Sequence, residues 1–234
     1  MSHVGKGIPP PSVGARPLRQ PSLRIVAGRA VGVVAVALDS WWIVAGLDGM
    51  VTSPDDFFSD LEAQGRPHAA VFSHLDVAAG LLTILALVLR GSRARSGRRP
   101  EWLWLIGYAA AGAVGGLFPY VCAEGVDAAC RTAEWHLRLP LHHYVHVIAG
   151  ICEFAAASVA ITLAWRRSVV GVDPVAKPIR ALGWILLFSY PALGYAYLSD
   201  RLGAFVEPIF FIVFSAMVLI ELFERGPTEV SSEE

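Results

Sequence analysis

The stretch PLHHYVHVIAGICEF, residues 140–154, opens an apolar segment that extends to residue 165. The segment is long enough to cross the roughly 30 Å hydrocarbon core of a bilayer as an α-helix. His142, His146 and Glu153 are spaced so that they share one face of this helix. Ionisable side chains at membrane depth usually face the interior of a helix bundle or a wet cavity. The stretch therefore predicts a transmembrane bundle with a polar interior.

The composition agrees with a membrane protein. Of the 234 residues, 55% are hydrophobic and 17% are charged. The apolar residues come in blocks of about twenty, which is the length of a membrane span. The fold class that we predict is therefore all-α and polytopic. A formal net charge of −1 gives no sign of a nucleic-acid partner, and the expected partner is membrane lipid.

Six apolar blocks predict a bundle of six transmembrane helices, because backbone polar groups in lipid must be paired within their own segment. The blocks cover residues 25–47, 69–89, 102–121, 140–165, 181–198 and 204–223. We expect residues 25–223 to form one domain. The basic, proline-containing segment 1–24 predicts a disordered tail, and residues 224–234 predict an acidic one.

The basic residues predict the orientation of the bundle. They concentrate in residues 1–24, in the loop 90–101 and in the loop 166–180, whereas the loops between them carry mostly acids. Loops on the cytoplasmic side are enriched in lysine and arginine. We therefore expect both termini in the cytoplasm, with the chain in the plasma (cytoplasmic) membrane.

Polar and ionisable residues within the spans lie mainly in the outer half of the predicted bundle. Asp39, Asp76 and His146 come from three helices at about 9–12 Å from the outer surface, by the 1.5 Å rise of a helix. We expect them to converge in one polar pocket, with the Asp76 face of the second helix pointing toward the fourth. The predicted pocket residues are Asp39, Ser73, His74, Asp76, His142, His146, Glu153 and Glu207.

Two classes of function compete for this pocket. The first is a polar network that fixes helix packing in a structural or accessory protein of the cell envelope. This interpretation is favoured because two histidines four residues apart are common by chance. The second is a metal site, in which His142, His146 and Asp76 bind zinc or another divalent ion. Such an ion would activate water for hydrolysis of a lipid or a lipid-linked substrate.

Haem binding and transport are also open. His74 and a histidine of the fourth helix could supply axial haem ligands from facing helices. Six spans could form an inverted repeat of three plus three, as in many transporters. The two halves show no internal similarity, which weighs against transport.

Two of the three cysteines flank a polar loop. Cys122 and Cys130 lie eight positions apart, in a loop that the predicted topology places on the oxidising side of the membrane. Disulfides form and persist in such compartments. We therefore expect a Cys122–Cys130 bridge, whereas Cys152 lies within an apolar helix.

Two segments carry a resemblance to a known family. They are FSDLEAQGRPHAAVFSHLDVAAGLL, residues 58–82, and GGLFPYVCAEGVDAAC, residues 115–130. Together with the histidine-bearing fourth helix they resemble the bacterial membrane family catalogued as domain of unknown function 998. The resemblance covers residues 25–223 and implies a six-helix protein of the inner membrane. It points to Ser59, Gly65, Pro67, Phe118, Pro119, Cys122, Cys130 and His146.

A more remote similarity is to membrane hydrolases of the alkaline ceramidase and adiponectin-receptor type. Those proteins have seven spans and place histidines, an aspartate and a serine around zinc. By this resemblance the matching residues would be Ser73, Asp76, His142 and His146.

The predicted topology can be tested by cysteine labelling of intact cells. Cysteines introduced at Pro54 and Gly125 should react with a membrane-impermeant thiol reagent, because both positions lie in outer loops. A cysteine introduced at Gly97 should stay unlabelled in the cytoplasm. Labelling at Gly97 would contradict the orientation.

Overall fold

A computed structural model describes residues 22–91, 100–170, 175–199 and 201–224. Within these residues the regular elements are all helices, as predicted. They are α1 (Leu23–Asp39), α2 (Trp41–Leu47), a short 3₁₀ helix (Ser59–Glu62), α3 (Ala69–Arg90), α4 (Pro100–Leu117), α5 (Ala128–Trp135), α6 (Leu141–Val170), α7 (Ala176–Ser199) and α8 (Gly203–Phe223).

The predicted tails lie mostly outside the described residues. This holds for residues 1–21 of the basic tail and for residues 225–234 of the acidic tail. The first helix, α1, begins at Leu23, two residues before the predicted span. The loop position Gly97, which we chose for labelling, is also outside the described residues.

Five segments are long and apolar enough to cross a membrane. They are Leu23–Leu47, Ala69–Arg90, Leu141–Val169, Ala176–Ser199 and Gly203–Phe223. The remaining predicted span corresponds to α4, which has 18 residues and includes Pro100, Glu101 and several glycines. The all-helical membrane fold is therefore confirmed. A sixth span and the sides of the two termini stay predictions.

The long helices form a closed ring in chain order. Each of α1, α3, α4, α6, α7 and α8 packs against the next, and α8 packs back against α1. We expected the Asp76 face of α3 to point toward the fourth predicted span, which is α6. Asp76 lines an interior space that α6 also lines, but the direct packing contact of this face is with α4. Gly80, one turn along that face, packs against Ala109 of α4. Consecutive helices joined by a connection of limited length pack as neighbours, so α4 lies between α3 and α6.

Small residues allow α3 and α4 to approach closely. A Cβ atom added at Gly80 would overlap the carbonyl oxygen of Ala109, and one added at Gly116 would overlap that of Ser73. Small residues at helix contacts let two backbones come together in a membrane, where packing replaces the hydrophobic effect as the driving force. The sequence AAAGAVGG of α4 is thus explained by helix packing.

The two ends of the ring differ in their polar contacts. At the end where the described termini lie, which we call the terminal end, Arg167 pairs with buried Glu101 at 2.8 Å. Arg29 also donates from Nε to the carbonyl oxygen of Leu222 at 3.2 Å, which links α1 to α8. These contacts fasten one helix to the next. We call the opposite end of the ring the loop end.

Two ordered segments cover the loop end: the first loop, residues 48–68, and the second loop, residues 118–140. The second loop contains α5, whose N-terminus is capped by Oδ1 of Asp127. It also contains the predicted Cys122–Cys130 disulfide, with its Cα atoms 6.0 Å apart. Arg131 donates to the carbonyl oxygens of Tyr197 and Leu198 at the end of α7. The second loop is therefore fixed to the ring.

The close approach of α3 and α4 predicts that substitutions at Gly80 and Gly150 differ in their effect on stability. Gly80→Ala should destabilise the protein by about 1–2 kcal/mol, because overpacking outweighs the better helix propensity of alanine. Gly150→Ala on α6 is the matched control, since no atom lies within 4 Å of its added Cβ. The measurement is thermal unfolding of purified protein. Equal midpoints for the two variants would contradict the packing.

Candidate functional site: an acidic cavity beneath the loops

A cavity of about 560 Å³ lies inside the ring, beneath the two loops. This volume falls in the range of sites that hold small molecules. Its wall includes seven acidic residues and one histidine, His146, but no lysine or arginine from the described part of the chain. We call it the acidic cavity. The acidic residues are Asp39, Asp60, Glu62, Asp76, Glu124, Glu153 and Glu207.

The predicted pocket residues divide into two groups. The structure brings five of them together on the cavity wall: Asp39, Asp76, His146, Glu153 and Glu207. The other three do not line it. They are Ser73, which is buried near the contact with α4, exposed His74 on α3, and half-buried His142 at the start of α6.

A break between α1 and α2 positions the carboxylate of α3. The hydroxyl of Ser40 donates to the carbonyl oxygen of Val36 at 2.7 Å, at the point where α1 ends. Trp41, the first residue of α2, stacks on Phe72 of α3, with ring centroids 4.3 Å apart. Nε1 of Trp41 then donates to Oδ1 of Asp76 at 2.6 Å. The carboxylate is thus held at the cavity wall.

The carboxylates of α1 and α6 are held by different means. Oδ2 of Asp39 accepts a hydrogen bond from the hydroxyl of Ser215 at 3.2 Å, so α8 fixes it. Glu153 fits into the space left by Gly112 on α4, where an added Cβ would lie 2.9 Å from Oε1. Any larger residue at Gly112 would displace this carboxylate from its position.

His146 closes the break at the end of α4. In a regular helix the carbonyl oxygen of Gly115 accepts from the backbone N–H four residues later, but that residue is Pro119, which has none. The carbonyl oxygen of Gly115 accepts instead from the backbone N–H of Phe118 at 3.0 Å and from Nδ1 of His146 at 3.0 Å. Nδ1 of His146 also donates to the carbonyl oxygen of Phe118 at 3.1 Å. The ring also lies against Tyr120, with centroids 3.8 Å apart. This donor role leaves Nε2 of the neutral ring as an acceptor.

Glu207 of α8 fixes the first loop over the cavity. Its Oε2 accepts hydrogen bonds from the backbone N–H of Phe58 at 2.5 Å and of Ser59 at 3.3 Å. These N–H groups begin the 3₁₀ helix, where backbone donors lack partners and favour a negative charge. The carboxylate is buried, so it acts as an internal cap for a loop that is distant in sequence.

The first and second loops are joined by Asp60. Its Oδ2 accepts from the backbone N–H of Phe57 at 3.3 Å and of Gly125 at 3.2 Å. Burial raises the pKa of Asp60 to about 7, against the hydrogen bond from Phe57 and with help from the neighbouring charges of Asp56 and Glu124. At neutral pH this carboxyl group is therefore partly protonated.

Two further carboxyl groups of the loops lie against other carboxyl groups, Glu62 against Asp76 and Glu124 against Glu134, and each has one oxygen atom without a well-formed hydrogen bond among the described residues. These atoms are Oε2 of Glu62 and Oε2 of Glu124, on residues that are 3% and 7% exposed. Burial raises the pKa of Glu62 to about 7, although contacts with Asp76 and Ser73 lower it. Burial and the adjacent Glu134 raise the pKa of Glu124 to about 8. A buried polar atom without a partner costs free energy, so both oxygens are places where a ligand atom could bind.

A buried histidine next to the cavity, His143, is not among the residues predicted from the sequence. His143 donates from Nε2 to Oε2 of Glu134 at 2.9 Å, and its Nδ1 accepts from the backbone N–H of Val121 at 3.2 Å. It thus ties α6 to both ends of the second loop. The sequence offers a weak signal, because His143 follows His142 directly and the two must point to different faces of the helix.

Aromatic side chains form much of the remaining wall. Nine contribute, and they come from the first two loops as well as from five of the helices. They are Trp41, Trp42, Phe57, Tyr108, Tyr120, Phe154, Tyr190, Tyr197 and Phe211. The cavity therefore combines carboxyl groups with aromatic faces.

The histidines predicted to bind a metal ion or haem make other contacts in the structure. His142 lies 3.5 Å from Gln64, between their Nε2 atoms, and His146 is engaged by the carbonyl groups of α4. His74 contacts the carbonyl oxygen of Ala70 in its own helix. Among the described residues, no group of three His, Cys, Asp or Glu side chains is placed to hold a metal ion. Zinc and haem binding therefore stay predictions from the sequence.

An all-helical chain with five segments of membrane length defines a class, the multi-pass integral membrane proteins. Residues 26–222 match the family model described as "Protein of unknown function (DUF998)". The chain belongs to this family, and the resemblance seen in its sequence is confirmed. No curated protein and no solved structure shows a significant match. The family description assigns no activity, so the function has to be argued from the cavity.

The cap on the 3₁₀ helix predicts how the first loop responds to mutation. Glu207→Ala should speed amide hydrogen exchange in residues 57–62 by roughly 10- to 100-fold, because charge-assisted hydrogen bonds of this kind contribute about 1.5–3 kcal/mol. Glu207→Gln keeps an acceptor oxygen and should have a smaller effect. Asp48→Ala, at an exposed position, is the control. Unchanged exchange in Glu207→Ala would contradict the cap.

Proposed function

We propose that the six long helices all cross the plasma membrane, with α4 as the sixth span and both termini in the cytoplasm. The arginine-rich contacts at the terminal end support this orientation, since cytoplasmic ends are enriched in basic residues. The loop end then faces outward, and the acidic cavity lies in the outer half of the bundle. A disulfide in the second loop fits an oxidising outer side.

We propose further that this is an accessory envelope protein that acts by binding a small organic cation in the acidic cavity. One observation carries the proposal. Seven acidic residues line one cavity, and no lysine or arginine of the described part of the chain lines it. An ammonium group there would compensate the mutual repulsion of the carboxylates. Anionic ligands such as phosphates would meet only repulsion.

The cavity wall also offers contacts for the parts of such a ligand other than its charged group. Aromatic faces attract cations through their ring quadrupoles, most strongly where water is excluded. Trp42 on the wall has an Nε1–H group without a hydrogen-bond partner among the described residues, and this group would bind an acceptor atom. The Oε2 atoms of Glu62 and Glu124 would accept hydrogen bonds from donors of the ligand. We therefore expect a ligand with a positive charge, an apolar body and at least one acceptor.

A purely structural network is the competing interpretation, and the unpartnered atoms speak against it. A network that only fixes helix packing is expected to satisfy its own polar groups, because half-satisfied buried networks are unfavourable. Three polar atoms on the cavity wall have no well-formed hydrogen bond in the part of the chain that the structure describes, and two of them belong to carboxyl groups that lie against a second carboxyl group, which is unfavourable while both are charged. A volume of about 560 Å³ is also more than such a network requires.

The proposal predicts a pH dependence of binding. Asp60 and Glu62 have a pKa of about 7 and Glu124 of about 8, so these groups lose their protons as the pH rises from 6 to 8. Benzyltrimethylammonium should therefore bind about tenfold more tightly at pH 8 than at pH 6. Titration calorimetry on protein in lipid nanodiscs is the measurement. Benzyl alcohol, with the same ring and no charge, is the control ligand.

Variants connect the binding to named residues. Glu62→Gln and Glu124→Gln should each weaken binding of benzyltrimethylammonium at pH 8, because each removes one negative charge from the wall. Asp48→Asn removes a charge at an exposed position outside the cavity and should leave binding unchanged. No binding of the cation at either pH, or equal affinity for benzyl alcohol, would contradict the proposed function.

A further inference from the structure

The acidic cavity opens on one side of the ring. Only four of its lining residues are exposed in the described structure: Ile151 and Ala155 on α6, and Tyr190 and Gly194 on α7. The described lining residues from every other element, including both loops, are buried or half-buried. The exposed part of the lining is therefore on α6 and α7 and not at the loop end, which points to an opening between these two helices.

Packing explains why the gap is at this place. The contact of α6 with α4 is more extensive than its contact with α7. Gly150 on α6 and Gly194 on α7 both line the cavity, and no atom lies within 4 Å of a Cβ added at either. Two glycines with open space beside them thus leave the middle of the α6–α7 contact unfilled.

The gap is closed above and below. Toward the terminal end, the hydroxyl groups of Ser158 on α6 and Tyr190 on α7 are in hydrogen-bonding contact. Toward the loop end, α5 bridges the same two helices through Arg131, bound to the end of α7, and Glu134, bound to His143 of α6. We call the bounded gap between these contacts the lateral opening.

The lateral opening lies at membrane depth. Ile151 and Ala155 are about 15 and 21 Å along α6 from its start at the loop end, by the 1.5 Å rise of a helix. Large apolar side chains at its sides, such as Ile148 and Phe188, are exposed on the outer face of the ring. A hydrocarbon core of about 30 Å would therefore cover the opening with lipid.

We infer that the ligand reaches the acidic cavity from the bilayer through the lateral opening, and that it is an amphiphile with a cationic head group and a hydrocarbon chain. The head group would lie among the carboxylates, and the chain would pass between Gly150 and Gly194 into the lipid. This inference rests on the proposed function, since it takes the cavity to be a cation site. It adds the class of ligand: a membrane-borne amine.

Leucine substitutions at the two glycines test the inference. Gly150→Leu and Gly194→Leu add side chains into open space, so the helices should keep their packing. Dodecyltrimethylammonium must keep its chain in the opening while it is bound, and its affinity should fall at least about tenfold in the double variant. Benzyltrimethylammonium has no chain to place in the opening, so its affinity should fall by a clearly smaller factor than that of dodecyltrimethylammonium. Ala192→Leu, at an exposed position of α7 that does not line the cavity, is the control.

The outcomes separate the inference from the proposed function. Binding of neither cation to wild type would overturn both. Binding of both cations with equal losses, or with no loss, in the double variant would overturn the lateral opening and leave the cation site standing. A selective loss of the long-chain cation supports the inference.

A photolabel provides a second readout on the unmodified protein. A dodecylamine with a diazirine at the end of its chain should label exposed residues of α6 and α7, such as Ile148 and Phe188. Excess benzyltrimethylammonium should prevent this labelling, because both cations compete for one cavity. Protected labelling on α1, α3 or the loops would place the chain elsewhere and overturn the inference.

Discussion

The constraint on which this structure depends is that seven acidic residues share one cavity inside a helix ring. Charges of one sign in a region of low dielectric cannot all ionise without compensation. The described part of the chain supplies no lysine or arginine at this wall. Arg66 and Arg131, which do not line the wall, offset part of the charge of Asp60 and Glu124. The remaining compensation has to come from protons, from hydrogen-bond donors of the protein or from a bound cation.

The fold provides donors wherever a loop crosses the cavity. Backbone N–H groups of Phe58 and Ser59 bind Glu207, and that of Gly125 binds Asp60. Each bond links elements that are distant in sequence, so the same contacts that hold the carboxylates also fix both loops over the ring. Closing the loop end in this way leaves the α6–α7 side as the route to the cavity.

The donors are not sufficient for every carboxylate. Oε2 of Glu62 and Oε2 of Glu124 have no well-formed hydrogen bond among the described residues, and burial keeps the pKa of both groups near or above neutrality. A cation would bind favourably at these carboxyl groups, because it would supply the missing hydrogen-bond donors and would also reduce the repulsion between the carboxylates. The aromatic part of the wall would accept the apolar portion of the same ligand.

Much of this arrangement could be predicted from hydropathy and depth. The spans follow from runs of apolar residues, and depth along each helix was enough to bring Asp39, Asp76 and His146 to one wall. Helical spacing wrongly predicted that His142 lines the cavity. His142 lies four residues before His146, which is about one helical turn closer to the loop end, and there its side chain contacts Gln64.

The loop residues on the wall could not be predicted in the same way. Depth in the membrane can be counted along a helix but not along a loop. The position of residues 48–68 over the ring depends on long-range hydrogen bonds, such as that from the N–H of Phe58 to Glu207. A signal was present all the same. Phe57, Phe58 and Leu61 alternate with acids in the first loop, and such apolar residues indicate a segment that is buried rather than solvated.

Thermal unfolding at pH 5 and pH 8, with and without benzyltrimethylammonium, tests the cation site most directly. The raised pKa values of Asp60, Glu62 and Glu124 mean that these groups stabilise the fold while protonated, and that this stability is lost as the pH rises through about 7 to 8. The free protein should therefore unfold at a lower temperature at pH 8, where the cation should restore stability more than at pH 5. A higher midpoint at pH 8 without ligand, or an equal effect of the cation at both pH values, would contradict the account.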